Sequence, residues 1–72
     1  MPLVQITLVE GRDDAVVKQC IKEVARTIHT TLGAPLESIR VVAMQIPRTQ
    51  WAIGDRTKDE IEAARVAVRE SA

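Results

Sequence analysis

Two short apolar runs, Leu3–Val9 and Ser38–Ile46, stand on either side of one amphipathic stretch, and that pattern leaves few folds open to the chain. The first run, Leu-Val-Gln-Ile-Thr-Leu-Val, is short, β-branched and mostly apolar, which suits a strand covered on both faces. Glu10-Gly11-Arg12 ends it, with Gly11 as the turn residue. From Asp13 to Leu32, apolar residues recur at Val17, Cys20, Ile21, Val24, Ile28 and Leu32, while Lys18, Lys22, Glu23, Arg26 and His29 fall largely on the other side. This spacing predicts an amphipathic helix of about five turns. Asp13 or Asp14 is its N-cap, and Gly33 followed by Pro35 is its stop. Two strands joined by one such helix read as a β-α-β unit with parallel strands.

Beyond Ile46 the signals are local. Pro47-Arg48-Thr49-Gln50 reads as a loop, and Gln50 to Ile53 followed by Gly54-Asp55 as a short strand with a tight turn. Thr57-Lys58-Asp59-Glu60 matches a capping box, and Ile61, Ala64 and Val68 share one face of a terminal helix. The expected fold is α+β (α/β): one domain over residues 1–72, a single β-α-β unit with a C-terminal hairpin and a short helical tail over 57–72.

A chain of 72 residues allows one domain. It buries only about 60% of its unfolded surface, which leaves a lone monomer marginal. Cys20 is the one cysteine, so no intrachain disulfide can form, and no Cys-x-x-Cys metal framework is present. A two-stranded unit also leaves strand edges and one sheet face without partners. A homo-oligomer meets both shortfalls. Ten basic and ten acidic residues give zero formal net charge, which argues against a nucleic-acid or polybasic membrane surface. No apolar run approaches the roughly 18 residues of a membrane span, and no signal-peptide core is present. The expected setting is the cytoplasm, with Cys20 reduced and packed in the core.

Few residues are suited to acid–base work. Pro2 becomes a free secondary amine if Met1 is removed, as processing before a small residue favours. Arg12 lies just past the first strand and Arg40 near the start of the second; a guanidinium can hold a carboxylate in a bidentate fork. Pro2 and Arg12 lie at opposite ends of strand one, about 30 Å apart at full extension, so they share a site only if two chains contribute. Trp51, the sole aromatic residue, sits between a loop and Gly54 and reads as a pocket wall or subunit contact. His29, in the last helical turn, is an ordinary surface position.

In order and spacing, Pro2 after Met1, Leu3-Val4-Gln5-Ile6, Val9-Glu10-Gly11-Arg12, Gly33-Ala34-Pro35-Leu36, Ser38-Ile39-Arg40-Val41 and Trp51-Ala52-Ile53-Gly54 resemble the 4-oxalocrotonate tautomerase family of the tautomerase superfamily. The resemblance covers about the first 55 residues without a gap. It implies a β-α-β protomer that pairs into dimers, three of which form a hexamer. It also implies an N-terminal proline base at Pro2 and no cofactor or metal. Arg12 is expected to bind the distal carboxylate of the substrate. Arg40 is expected to arrive from a neighbouring chain to hold the other carboxylate and the carbonyl oxygen. Trp51 takes the place of the pocket aromatic, usually Phe.

The expected activity is keto–enol tautomerisation of a small unsaturated dicarboxylate such as 2-hydroxymuconate, in aromatic hydrocarbon catabolism. An α-amino group titrates at about 8. An apolar wall and nearby cations lower that value towards neutrality, where a general base is most effective. The related dehalogenases and hydratases use a glutamate where this chain has Ile53 and a second arginine where it has Val9, which disfavours those reactions. Asp55 replaces a glycine of the family's hairpin. Two other readings stand beside this one: a tautomerase of a different 2-oxo acid or secondary-metabolism intermediate, and a non-catalytic subunit of a mixed hexamer.

Overall fold

The computed structural model describes the backbone of residues 2–71 and the side chains of residues 2–65. The removal of Met1 and the facing of Val68 lie outside what it describes. The elements run β1 (Leu3–Val9), α1 (Asp14–Leu32), β2 (Arg40–Ile46), β3 (Ala52–Ile53), β4 (Arg56–Thr57) and α2 (Lys58–Ser71), with 3₁₀ turns at Leu36–Ser38 and Arg48–Gln50. β1 pairs with β2 in parallel, in a register that runs from Leu3 opposite Arg40 to Val9 opposite Ile46. The ladder extends past both ends. Arg40 N–H donates to Pro2 C=O at 3.0 Å, and Glu10 N–H donates to Ile46 C=O at 2.9 Å. This is the α+β unit expected, with its C-terminal hairpin and helix.

Alternation along the strands settles which face is covered. Val4, Ile6 and Leu8 are half-buried, whereas Leu3, Gln5 and Thr7 are exposed; Val41 and Ala43 contrast with Val42 and Met44 in the same way. α1 lies over the first set, and Ile6, Leu8 and Ala43 meet Val17 and Ile21 around an apolar recess. Strand one was expected to be covered on both faces; within the protomer one face is bare. Leu3 is 60% exposed and Met44 49%. Among the described residues Ile39 alone is buried. The chain exposes 5543 Å², against roughly 4,500 Å² for a compact monomer of its size. Its radius of gyration is 16.9 Å, where a compact domain of this length has about 11 Å. One copy does not close a core.

Four local details depart from expectation. Asp13 is the N-cap of α1 through its backbone, its carbonyl accepting from Val16 and Val17 N–H, while its side chain makes no cap bond. Cys20 is exposed in the protomer, not core, because the two-stranded sheet is narrower than the helix's apolar stripe. Val17, Ile21, Val24 and Ile28 take the covered side, and Cys20 lines the edge of the recess. β2 begins at Arg40 rather than Ser38, since Ser38 N–H and Oγ both donate to Pro35 C=O and wind residues 36–38 into a turn. At Thr57 half of the capping box forms: Thr57 N–H donates to Glu60 Oε1 at 3.0 Å, and the Thr57 hydroxyl donates to the same oxygen at 2.6 Å instead of reaching a backbone amide. These two bonds, the hydroxyl's first, hold the Glu60 carboxyl below its ordinary pKa.

α1 stops as predicted. Gly33 adopts φ 76°, and its N–H donates to His29 C=O at 3.0 Å. His29 Nδ1 pairs with Ala34 C=O at 2.6 Å, which ties the helix end to the following loop. The hairpin turn tolerates Asp55. Ile53 pairs with Arg56, so Gly54 and Asp55 form a two-residue loop in which only Gly54 (φ 68°) is left-handed. That φ pattern, positive at the first central residue alone, is the type II′ arrangement, which asks for glycine there and not at the second position.

Candidate active site

Because β1 and β2 run parallel, the protomer has two chemically distinct ends. At one, Pro2 is half-buried beside Arg40, their backbones joined by the 3.0 Å bond described above. The Arg40 guanidinium curls back, Nη1 donating to Glu37 C=O at 2.9 Å. At the other end, Gly11 turns the chain with φ 126°, and Arg12 Nη1 donates to Val9 C=O at 3.3 Å. The seven residues of β1 hold these ends about 20 Å apart at about 3.3 Å per residue.

Arg12 and Trp51 come together. They line an open cleft of ≈ 520 Å³ with Glu10, Arg48, Lys58 and Glu62. Trp51 is half-buried, and its carbonyl accepts from Lys58 N–H at 2.7 Å, which joins the start of α2 to the cleft wall. Of the four site residues expected from the sequence, the structure therefore sets Arg40, expected from a neighbouring chain, beside Pro2 of its own chain through the backbone, because the parallel register puts both at the start of their strands, and it groups Arg12 with Trp51; one chain does not unite the pairs.

Sequence reasoning missed Arg48, Lys58 and Glu62. Arg48 Nε lies 3.2 Å from Glu62 Oε1 and 3.1 Å from Oε2, both side chains about 40% exposed. The guanidinium sits over Gly11, where a Cβ would crowd Arg48 Nη2. The i, i+4 spacing of Lys58 and Glu62 behind the Thr57 cap was a readable sign that both share a helix face. That this face turns towards Gly11 was not readable. Three cations against two carboxylates give the cleft a net attraction for anions. Among the described residues no group of three or more His, Cys, Asp or Glu is placed to hold a metal ion, and no helix is long and apolar enough to cross a membrane.

The sequence pattern of the family described as "Tautomerase enzyme" matches residues 2–60. The chain is 38% identical over 61 residues to a 2-hydroxymuconate tautomerase of Stutzerimonas stutzeri, covering 85% of this chain and 97% of that one. It superimposes with a TM-score of 0.82 on the crystal structure of TomN, a 4-oxalocrotonate tautomerase homologue in the tomaymycin biosynthetic pathway, at 35% identity over 86% of this chain and 95% of that one. A heterohexameric 4-oxalocrotonate tautomerase from Chloroflexus aurantiacus shares the fold, with a TM-score of 0.79 at 24% identity over 85% of this chain and 98% of that one.

A parallel β-α-β protomer with an anion-attracting cleft, matched along most of its length in this way, is a tautomerase-fold isomerase. The chain belongs to the 4-oxalocrotonate tautomerase family of the tautomerase superfamily, whose members interconvert keto and enol forms.

Proposed function

We propose that the chain is a cofactor-independent tautomerase of a small unsaturated dicarboxylate such as 2-hydroxymuconate, with the Pro2 nitrogen as general base once Met1 is removed. The observation that carries this reading is where the family match lies: it opens at Pro2 and spans Arg12, Arg40 and Trp51. The similarity to a 2-hydroxymuconate tautomerase supports this substrate class.

The chemistry needs one group that takes a proton from the enol oxygen and returns it to carbon along the conjugated chain. A half-buried secondary amine near cations suits that task, since both influences favour its neutral form. Arg40 stabilises negative charge on the oxygen as it becomes a carbonyl. Arg12 grips the far carboxylate and sets the distance to the base, and Trp51 walls the pocket. Because Pro2 and Arg12 sit at opposite ends of β1, a complete site takes Pro2 from one chain and Arg12 with Trp51 from another. A homo-hexamer built as a trimer of dimers supplies that arrangement and covers the bare face of the sheet.

Intact mass combined with an ultraviolet assay of 2-hydroxymuconate tests the reading. Active protein should begin at Pro2. Full turnover by protein that retains Met1 would sink the mechanism, because an amide nitrogen is not a base. A second reading, a different 2-oxo acid from secondary metabolism, is favoured by the similarity to TomN and by the bulk of Trp51. A panel of dienols under the same assay separates the two.

A further inference from the structure

The C-terminal helix reaches into the cleft with a residue beyond the matched part of the family. Glu62 lies past position 60, where the match ends, and both its carboxylate oxygens sit within 3.2 Å of Arg48 Nε. That pairing occupies one edge of the Arg48 guanidinium. The other edge, Nη1 and Nη2, lies over Gly11 and has no hydrogen-bonded partner among the described residues. Gly11 is next to Arg12 in the chain, and Arg12 spends one donor, Nη1, on the Val9 carbonyl. Two guanidinium groups thus converge on one cleft with donor edges to spare. A side chain at position 11 would push the Arg48 guanidinium out of this pose.

The geometry points to Arg48, held by Glu62, as a specificity-determining residue: with Arg12 it grips the substrate carboxylate remote from the reacting carbon. The inference rests on the tautomerase reading for the identity of the substrate. Arg48 sits on the Arg12–Trp51 end of the protomer, at the far end of β1 from Pro2 and Arg40, so it acts on binding and not on proton transfer. Glu62 is a positioning residue. It fixes the Arg48 rotamer and lowers the entropy lost when the fork closes on a carboxylate.

The test compares two six-carbon dienes that differ at one end: muconate, with two carboxylates, and sorbate, with one. Calorimetric titration of the full chain should show tighter binding of muconate. Arg48→Gln should lower muconate affinity about tenfold, the loss of one charge-assisted pair, and leave sorbate unchanged. Arg48→Lys should restore part of the loss, and Glu62→Gln should weaken muconate severalfold. In turnover of 2-hydroxymuconate, Arg48→Gln should raise KM with kcat within about twofold, the signature of lost uniform binding. An unchanged muconate-to-sorbate ratio in Arg48→Gln protein that assembles like wild type overturns the inference. So does a wild-type protein with no preference for muconate. Should no dienol be turned over while the muconate pattern holds, the catalytic reading fails and the role of Arg48 stands.

Discussion

Arg40 N–H donates to the carbonyl of Pro2 at 3.0 Å, so the proposed base and the arginine proposed to stabilise the oxyanion are neighbours across one rung of the sheet. Their partners Arg12 and Trp51 stand at the opposite end of the same two strands. Under the proposed mechanism each copy carries two half-sites.

The first prediction follows from that split. Pro2→Ala and Arg12→Ala proteins should each lose about hundredfold or more in kcat/KM, the usual scale for a removed base or a removed anchoring charge. Co-expressed, they should regain part of the activity, because some sites then pair an intact Pro2 with an intact Arg12. No recovery in a mixed oligomer verified by mass would place the whole site within one chain.

Gly11→Ala should damage the cleft from its floor. Its φ of 126° is left-handed, and the new methyl would press into the Arg48 guanidinium. A strained backbone of this kind costs about 1–3 kcal/mol. The expected result is a lower melting temperature together with a raised KM for a dicarboxylate. A variant that melts like wild type and keeps its KM would show that Arg48 has room to spare.

Met44→Lys addresses the bare face of the sheet. Met44 is 49% exposed in the protomer, so a lone chain would tolerate the change, within about 0.5 kcal/mol for a surface site. If the face is covered by another copy, a buried unpaired charge should break the assembly. Sedimentation velocity reads the difference, and an intact oligomer would mean that this face is not an interface.

How much of this was legible in the sequence depends on how local each feature is. The bounds of β1 and the stop of α1 at Gly33 could be read because they rest on residues adjacent in the chain. Cys20 was misjudged as core because a helical stripe says which residues are apolar, not how wide the opposing sheet is. The cleft was half visible. Arg12 and Trp51 could be picked out, but Arg48 and Glu62 are 14 residues apart and meet Gly11 only through the tertiary fold.

A pH prediction comes from Glu60. Its pKa is lowered in the folded chain by the Thr57 hydroxyl and N–H. A depressed carboxyl contributes stability that is fully present above its unfolded value and is lost as pH falls through the folded one. Hydrogen exchange at the first turn of α2 should therefore quicken as pH drops below the ordinary carboxyl value of 4.5, after correction for intrinsic rates. Glu60→Gln should flatten that dependence; an equal pH response in the variant would assign the effect to another group.

With Ile39 alone buried among the described residues, one copy holds too little of its own stabilisation to persist in isolation. Its folding equilibrium then carries the dimensions of a concentration, and an apparent melting temperature depends on how much protein is in the tube. With copies of the same chain as the proposed partners, reaching the native state is a bimolecular event for a freshly synthesised chain, and its speed is set by how soon it meets another copy.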